Sequence, residues 1–379
     1  MATAGNSAGP VILFTHQGVS YEYRERLGSG PYGEDLVLAC KRTADNILDE
    51  VLVKCLRFPS GTPSAQSLLV RARMEEEARL VEYLRHRALL RLLCVHETPQ
   101  ALYTVHEYFQ GPTLDDLVTL ALDRKEHFSE AFLLHVGAEL ASALDHVHTC
   151  QDEHGLGLGI VHRNISLPSI GFTGRGGVKL ADFSLAYSKL PGRRATTRRR
   201  PRGSLFFSAP ETLFSGEVDG RSDLFALGLV LLELATGRHL YDPPHKTVAA
   251  MEAALTPLER KRVEREVRAA LNAGYDDATQ QALWGAATFT PADVERAVDG
   301  LSLPLGSLVK RLLRREPEER LQTASELEQA LRSRLAVVGP YSGAEAVAEV
   351  EKAVTELGKV LVASKRNPRL LSPNQEGQS

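Results

Sequence analysis

The spacing of apolar residues changes near residue 110, and this change constrains the fold more than any other feature of the sequence. Between residues 18 and 58, short β-prone runs alternate with turn residues, which predicts a meander of strands. A helix-spaced segment (64–86) and two more strand-like runs follow, before Gly111 and Pro112 break the pattern. Beyond them, apolar residues recur every three to four positions. We therefore predict an α+β chain in which a small β-rich lobe precedes a larger helical lobe.

These patterns divide the chain into an N-terminal extension (1–17), the small lobe (18–110), the large lobe (111–336) and a C-terminal segment (337–379). The last part begins with an amphipathic helix and ends in a polar tail that we expect to be disordered. The apolar residues of that helix recur at intervals of three and four: Val347, Val350, Val354, Leu357 and Leu361. A stripe this short usually packs on its own domain, so docking is expected and dimerisation is the minor alternative.

Composition excludes several classes of protein. The chain has 379 residues, 43% of them hydrophobic, and a formal net charge of -3, so we expect a large folded core and no overall attraction to nucleic acid. Its four cysteines lack the spacing of a zinc site or a disulfide framework. Neither a basic leader with an apolar core nor a run of about 18 apolar residues is present, so we expect a cytoplasmic protein that does not bind membranes.

A glycine-rich turn lies between the first two predicted strands of the small lobe. Its sequence is G-S-G-P-Y-G, with Gly28, Gly30 and Gly33. Glycine allows the backbone to fold tightly and to direct N–H groups at phosphate, although a plain hairpin turn is the common alternative. We therefore treat the three glycines as candidates for binding a phosphate-containing cofactor.

A lysine and a glutamate follow this turn in the order that phosphate chemistry needs. Lys54 stands in V-L-V-K, on the third predicted strand, between alternating apolar residues. An isolated lysine on a strand is usually a solvated charge, but the next predicted helix offers acidic partners. Glu77 is the preferred partner, and Glu76, one residue away on a different helix face, is the alternative.

Two short motifs in the large lobe are decisive. The first is V-H-R-N-I-S-L-P-S-I and the second is V-K-L-A-D-F-S. Their two short predicted strands carry a polar loop and then an aspartate, and Asp182 follows Asn164 by eighteen positions. Together with the glycine loop, V-L-V-K, the helix glutamate, S-A-P-E and G-R-S-D-L-F-A-L-G, they resemble the serine/threonine protein kinases of the bacterial Hanks type. The landmarks cover roughly residues 18–336. The resemblance implies a bilobal fold with a β-rich N-lobe and an α-helical C-lobe.

The resemblance also implies how a nucleotide is bound. Lys54 would contact the phosphates of ATP, Glu77 would hold Lys54 in place, and Asp182 would bind Mg²⁺. At the hinge between the lobes, backbone groups of Glu107 and Phe109 would bind adenine. All the groups of this nucleotide-binding half match the family pattern.

Other matching positions concern the shape of the site and of the fold. His106 stands immediately before the hinge, where a histidine is unusual and would narrow the pocket. Glu211 is expected to pair with Arg320, and Asp223 is expected to anchor the catalytic loop from a buried helix. Glu211, Arg320 and Asp223 indicate the fold and not catalytic activity.

The catalytic loop departs from the family pattern at each polar position. Where the family has H-R-D followed by a lysine and an asparagine, this chain has Asn164, Ser166 and Ser169. An amide cannot accept the substrate proton, Ser166 supplies no cation, and Ser169 is a shorter metal ligand. These losses would slow a kinase from roughly 1–100 turnovers per second to minutes or hours per event. Ser184 in D-F-S is a smaller change, expected to disfavour positive φ there.

Residues 193–202 contain six arginines and no acidic residue, with Thr196 and Thr197 among them. A solvated loop is the common interpretation of such a run, but arginine also binds phosphate through two parallel hydrogen bonds. We expect an acidic or phosphorylated protein partner here, and no nucleic acid because no aromatic residues are interleaved. Phosphorylation of either threonine would tie the segment to nearby arginines, including Arg163.

Taken together, the sequence predicts an ATP- and Mg²⁺-binding kinase-like protein with impaired transfer that regulates or scaffolds another protein. The first alternative is a slow serine/threonine kinase in which Asn164 only orients the substrate hydroxyl. A second alternative is the transfer of another group, such as AMP. The third is a scaffold that binds no nucleotide, for example because His106 obstructs the adenine site.

Overall fold

The protein has an α+β, bilobal fold with a β-sheet N-lobe and a helical C-lobe. This architecture comes from a computed structural model that describes residues 11–29, 33–43, 46–58, 65–192, 205–214, 216–272 and 277–366. Over these ranges, none of the helices combines the length and apolar character that a membrane span requires. The predicted order of a small β-rich lobe and a larger helical lobe is confirmed.

One antiparallel sheet forms the N-lobe. The strands are β1 Ile12–His16, β2 Val19–Ser29, β3 Asp35–Arg42, β4 Ile47–Arg57, β5 Leu92–Glu97, β6 Ala101–Glu107, β7 Ile170–Phe172 and β8 Val178–Leu180. In the sheet, the order is β1-β2-β3-β4-β6-β5, whereas β7 and β8 form a separate hairpin in the C-lobe. Val70 and Met74 of the first helix, α1 (Ala65–Val81), pack on Leu56 and Leu102 of the sheet. This contact fixes α1 against β4 and β6.

The N-lobe begins earlier than the boundary at residue 18 suggested. Strand β1 lies in the expected N-terminal extension and pairs with β2. A two-residue turn joins them, and both of its residues have positive φ, 48° at Gln17 and 77° at Gly18, as tight hairpins require. Phe14 of β1 stacks on Tyr21 of β2 with 4.5 Å between ring centroids. Burial of this aromatic pair explains why the extension joins the sheet.

Helices make up most of the C-lobe. The α-helices of the described residues are α1 Ala65–Val81, α2 Leu114–Arg124, α3 Glu130–Thr149, α4 Pro210–Leu213, α5 Gly220–Thr236, α6 Val248–Ala253, α7 Pro257–Asn272, α8 Asp277–Thr288, α9 Pro291–Ala297, α10 Leu303–Leu312, α11 Ala324–Val338 and α12 Gly343–Arg366. Helices α3 and α5 are apolar on almost every face, as helices at the centre of a core must be. Gly137 on α3 permits close approach of Leu231 from α5 and Leu331 from α11.

The C-terminal amphipathic helix, α12, packs on the C-lobe against α2. The expected docking of this helix on its own domain is therefore confirmed. Its buried face agrees with the predicted stripe at Val350, which is buried, and at Val347 and Leu357, which pack partly buried against the core. It differs in that Ala346 and Ala353 are also buried, whereas Val354 is 56% exposed. The prediction chose the largest apolar side chains, but small alanines allow the closer approach of two helices. The side chain of Leu361 lies outside the part of the chain whose side chains the structure describes.

Two buried polar anchors organise the C-lobe, and both expected arrangements are confirmed. Arg320 donates from its two terminal nitrogens to the two carboxylate oxygens of Glu211, at 2.6 and 2.8 Å. Asp223 accepts the backbone N–H groups of His162 and Arg163 at 2.8 and 2.9 Å. Asp223 therefore fixes the loop after α3 through its backbone, whatever side chains follow.

Removing the Arg320 guanidinium tests the first anchor. We expect Arg320→Ala to lower the free energy of unfolding by about 3–5 kcal/mol, because Glu211 would keep a buried charge without its partner. Arg311→Ala is the matched control, since its pair with Glu326 leaves the two side chains 53% and 43% exposed. In the same urea denaturation series, Arg311→Ala should lower the free energy of unfolding by about 0–1 kcal/mol. Equal losses in the two variants would contradict the assignment.

Candidate functional site

A cavity of about 610 Å³ lies between the two lobes. Its walls come from β2, β3, β4, β6 and α1, and from the loops that precede β7 and follow β8. The cavity brings together most of the side chains that the sequence indicated: Lys54, Glu77, Glu107, Phe109, Asn164, Ser166, Ser169 and Asp182. Residues from five separate segments of the sequence therefore share one site.

Lys54 is the cation of this site, and the structure selects Glu77 over Glu76 as its partner. The Lys54 ammonium donates to the two carboxylate oxygens of Glu77 at 2.9 Å, and Asp182 lies 3.4 Å away. Glu76 instead lies 3.4 Å from Arg79, within the same helix. Burial alone would lower the pKa of Lys54, but Glu77 and Asp182 outweigh it and raise the pKa above its ordinary value. Lys54 is therefore a buried, permanently charged group.

Asp182 is held by three donors. Its Oδ2 accepts the Asn164 amide at 2.8 Å, and its Oδ1 accepts the Ser184 hydroxyl at 2.7 Å as well as Lys54. Burial raises the pKa of Asp182, yet Lys54 and Ser184 outweigh burial and hold it below its ordinary value. The left-handed position in this motif is Asp182 itself, at φ 65°, so the serine in D-F-S is not strained. The ring of Phe183 packs edge to face on that of His162, with 4.4 Å between the ring centroids.

The serines of the catalytic loop hydrogen-bond with each other. The Ser166 backbone N–H donates to the Ser169 hydroxyl at 3.0 Å, and that hydroxyl donates to the Ser166 carbonyl at 2.8 Å. The two side-chain oxygens lie 3.3 Å apart. The loop thus satisfies its own polar groups around a short turn, Leu167–Ser169. It presents no charged side chain where the family pattern has a lysine and an asparagine.

The inner wall next to the hinge is neutral. Burial and, to a lesser degree, the charge of Lys54 lower the pKa of His106 to about 3, so its imidazole is uncharged. The ring lies 3.2 Å from the Thr104 hydroxyl. His106 therefore lines the cavity as a neutral polar group and supplies no cation to a ligand.

The hinge residues take two different positions. Glu107 accepts from the Lys179 ammonium at 2.7 Å and from the backbone N–H of Arg91 at 2.9 Å, so its side chain joins the hinge to β8. Phe109 packs directly on Gly171 of β7, where an added Cβ would lie 2.0 Å from the aromatic ring. Only glycine at position 171 leaves room for this ring. The backbone contacts of Glu107 and Phe109 with adenine stay predictions.

The glycine loop is described only in part. Gly28 pairs with Leu36 across β2 and β3, and Gly33 has φ 87°, in the region that favours glycine. Gly30 lies outside the described residues, and so does the arginine-rich segment 193–202. Neither of the two described glycines lines the cavity.

Glu34, a residue that sequence reasoning missed, follows this loop and lines the cavity at 3% exposure. The signal was present in the strand alternation. Leu36 lies opposite Lys54 in the β3–β4 pair, and a residue two positions earlier shares that face. A second acid beside the lysine could therefore have been predicted once the register was known.

The donor set fits one magnesium ion. Mg²⁺ is usually held by one or two carboxylates together with phosphate oxygens and water. Asp182 supplies such a carboxylate, whereas the Ser169 hydroxyl is engaged with Ser166. Among the described residues, no group of three or more His, Cys, Asp or Glu side chains is arranged to hold a metal by itself. A bound ion would therefore need ligands from a nucleotide.

Asn164→Asp tests the hydrogen bond between Asn164 and Asp182. A carboxylate at position 164 would face the Asp182 carboxylate, so we expect a loss of about 1–3 kcal/mol in unfolding free energy at pH 8. The pair would take up a proton more readily in the folded than in the unfolded state. Stability should therefore recover as the pH is lowered to about 5.5.

The control for this experiment is Asn164→Ala, which removes the hydrogen bond without adding charge. Urea denaturation at the two pH values should show the same pH dependence for this variant as for the wild type. A variant Asn164→Asp that is as stable as the wild type at both pH values would contradict the contact.

Comparison with known proteins places the chain in a family. The family model described as protein kinase domain matches residues 21–333. CTD kinase subunit alpha of Schizosaccharomyces pombe is 28% identical over 62% of this chain and 36% of its own length. Serine/threonine-protein kinase PrkC of Bacillus subtilis is 33% identical over 52% of this chain and 28% of its own length. Serine/threonine-protein kinase Nek2 of Homo sapiens is 27% identical over 56% of this chain and 45% of its own length.

The matches to these relatives cover less than half of each relative's length, so they bear on the shared domain and not on the whole proteins. The family match, by contrast, extends over most of this chain. It coincides with the two lobes and the cavity between them. The protein therefore belongs to the protein kinase family.

Proposed function

We propose that the protein binds ATP with Mg²⁺ in the cavity between its lobes, transfers phosphate poorly or not at all, and acts by binding another protein. One observation carries this proposal. Asn164 stands where the family has its catalytic base and donates its amide to Asp182 at 2.8 Å, beside an intact pair of Lys54 and Glu77. The groups that bind a nucleotide are thus present, and the group that accepts the substrate proton is not.

Nucleotide binding is supported by the Lys54 ammonium and by the family's general use of ATP. Lys54 is already held in the cavity by Glu77 and does not need to be recruited. Asp182 would hold Mg²⁺, whose chemistry is to neutralise the charge of the phosphates. His106 is neutral and cannot repel or attract the base by charge. Adenine would enter beside the ring of Phe109.

Impaired transfer is supported by the hydrogen bonds that the polar residues of the catalytic loop make with one another and with Asp182. An amide that donates to Asp182 cannot remove a proton from a substrate hydroxyl. Ser166 and Ser169 bond to one another and offer neither a cation nor a second metal ligand. General-base contributions of about 10²- to 10⁴-fold, and a lost electrostatic donor of about 10²-fold, set the size of the defect.

A slow serine/threonine kinase is the second candidate, and a specific arrangement favours it. Lys54 contacts both Glu77 and Asp182, and Phe183 packs on His162, so no element has to move to complete the cavity. Phosphoryl transfer relies more on positioning and metal than on proton removal. A low rate that requires Asp182 would support this candidate.

The partner would be a protein with an acidic or phosphorylated segment, bound by residues 193–202 in the cytoplasm. The arginines of this segment give a local positive field in a chain whose formal net charge is -3. Pairs of parallel hydrogen bonds from arginine suit phosphate better than those of any other side chain. The segment lies outside the described residues, so its sequence alone supports this part of the proposal.

Thermal melting with Mg-ATP tests the binding half of the proposal. A ligand at 100 times its Kd stabilises a protein by about 2.7 kcal/mol, so we expect a rise in Tm of several degrees. Lys54→Met should abolish this rise because it removes a cation that directly faces Asp182. Lys41→Met, on β3 and paired with the exposed Asp49, is the matched control and should keep the rise.

Labelled ATP and a triple variant test the transfer half. The wild type should give little or no labelled protein, whereas Asn164→Asp, Ser166→Lys and Ser169→Asn together restore the family's catalytic groups. Gain of transfer by this variant would show that the loop alone limits activity. Rapid transfer by the wild type would refute impairment, and no rise in Tm with Mg-ATP would refute nucleotide binding.

A further inference from the structure

A second cavity, of about 960 Å³, lies beside the hinge, between strand β8 and the segment that joins α1 to β5. The inner wall of this cavity is apolar, since its buried lining residues are Val81, Leu84 and Leu89. Four exposed residues form its rim: Glu82, Arg85, Arg87 and Arg91. An apolar wall below a mostly basic rim is the feature that the proposed function leaves unexplained.

The inner charged residues of this cavity are neutralised within the protein. Lys179 donates to Glu107 at 2.7 Å, and the two side chains are only 19% and 24% exposed. Burial and, to a smaller extent, the neighbouring His146 lower the pKa of His86, so its imidazole adds no positive charge at neutral pH. The charge that a ligand meets is therefore set by the rim.

The rim offers two arginines that the fold does not pair. The Arg87 guanidinium contacts Glu139 of α3 at 2.5 Å. For the side chains of Arg85 and Arg91, no ion pair is formed with any residue that the structure describes. Glu82 is the one acid of the rim, so two available guanidinium groups face a single carboxylate. The rim therefore attracts an anion.

The backbone at both arginines is fixed by the rest of the fold. The Arg85 N–H donates to Nε2 of His146 on α3 at 3.2 Å. The Arg91 N–H donates to the Glu107 carboxylate at 2.9 Å, and the Arg91 carbonyl accepts the N–H of Glu107 at 2.9 Å. Because these backbone positions are already ordered, a ligand pays less conformational entropy when it binds there.

We propose that this cavity binds an acidic segment of a protein partner. Carboxylates of the segment contact Arg85 and Arg91, since a guanidinium can donate two parallel hydrogen bonds to one carboxylate. Apolar side chains of the same segment pack on Leu84 and on the partly buried Leu92. The inference goes beyond the proposed function, because it concerns a separate cavity and requires no nucleotide.

The composition of the lining favours an acidic peptide over a nucleic acid. Among the described residues that line the cavity, none is a Phe, Tyr or Trp on which bases could stack. Glu82 would also lie against a continuous phosphate backbone, whereas a peptide can place an uncharged residue beside it. The apolar wall, finally, gives leucine-like side chains a surface that phosphates and sugars cannot use.

Fluorescence anisotropy of a labelled synthetic peptide, E-L-E-E-L-D, with the full chain tests this proposal. Arg85→Ala combined with Arg91→Ala should weaken binding by about tenfold, since one exposed ion pair contributes up to about fivefold in affinity. Glu82→Gln should tighten binding by up to about fivefold, an effect that misfolding cannot mimic. The control, Arg262→Ala with Arg268→Ala, removes the same charge from exposed positions of α7 and should leave Kd unchanged.

Four results would overturn the proposal. The wild type does not bind the peptide, or the α7 control loses as much affinity as the variant of Arg85 and Arg91. Loss of binding confined to Arg198→Ala with Arg199→Ala and Arg200→Ala would assign the peptide to the arginine-rich segment. A single-stranded oligonucleotide that displaces the peptide and binds the rim variant more weakly would assign the cavity to nucleic acid. The rise in Tm with Mg-ATP does not depend on any of these results, so failure of this inference and failure of the proposed function are distinguishable.

Discussion

The buried ammonium of Lys54 is the group on which the arrangement of the site depends. It lies on β4, contacts Glu77 of α1 at 2.9 Å, and lies 3.4 Å from Asp182 in the loop after β8. A buried cation without its carboxylates would cost several kcal/mol, so these three elements are held together electrostatically. The sheet, the helix of the N-lobe and a loop of the C-lobe thus meet at one nitrogen atom.

The shape of the catalytic loop is maintained separately from its chemistry. Asp223 holds the loop through the backbone N–H groups of His162 and Arg163, which do not depend on the side chain at position 164. The amide of Asn164 then completes the hydrogen bonding of Asp182, where a second carboxylate would be repelled. The amide at position 164 therefore stabilises the observed arrangement of Asp182, which a carboxylate at that position would oppose.

Sequence reasoning succeeded where a motif specifies a contact and failed where a contact depends on register or size. The pairs of Lys54 with Glu77 and of Arg320 with Glu211 follow from motif order, and the structure contains both. Strand β1 was missed because its burial depends on an aromatic partner in β2. The inward position of Glu34 depends on the register of β3 against β4. A single sequence does not reveal these spatial relations before the fold is known.

The amide at Asn164 bears on what would follow nucleotide binding. Under the proposed function, this amide would disfavour consumption of the nucleotide once it is bound, because it cannot accept the substrate proton. Binding that does not lead to rapid transfer would leave the occupied state long-lived. An occupied cavity would join the N-lobe sheet to the C-lobe loops through Lys54 and Asp182. Under the proposed function, the nucleotide would then serve as a structural ligand that sets the relative position of the lobes and of the segments attached to them.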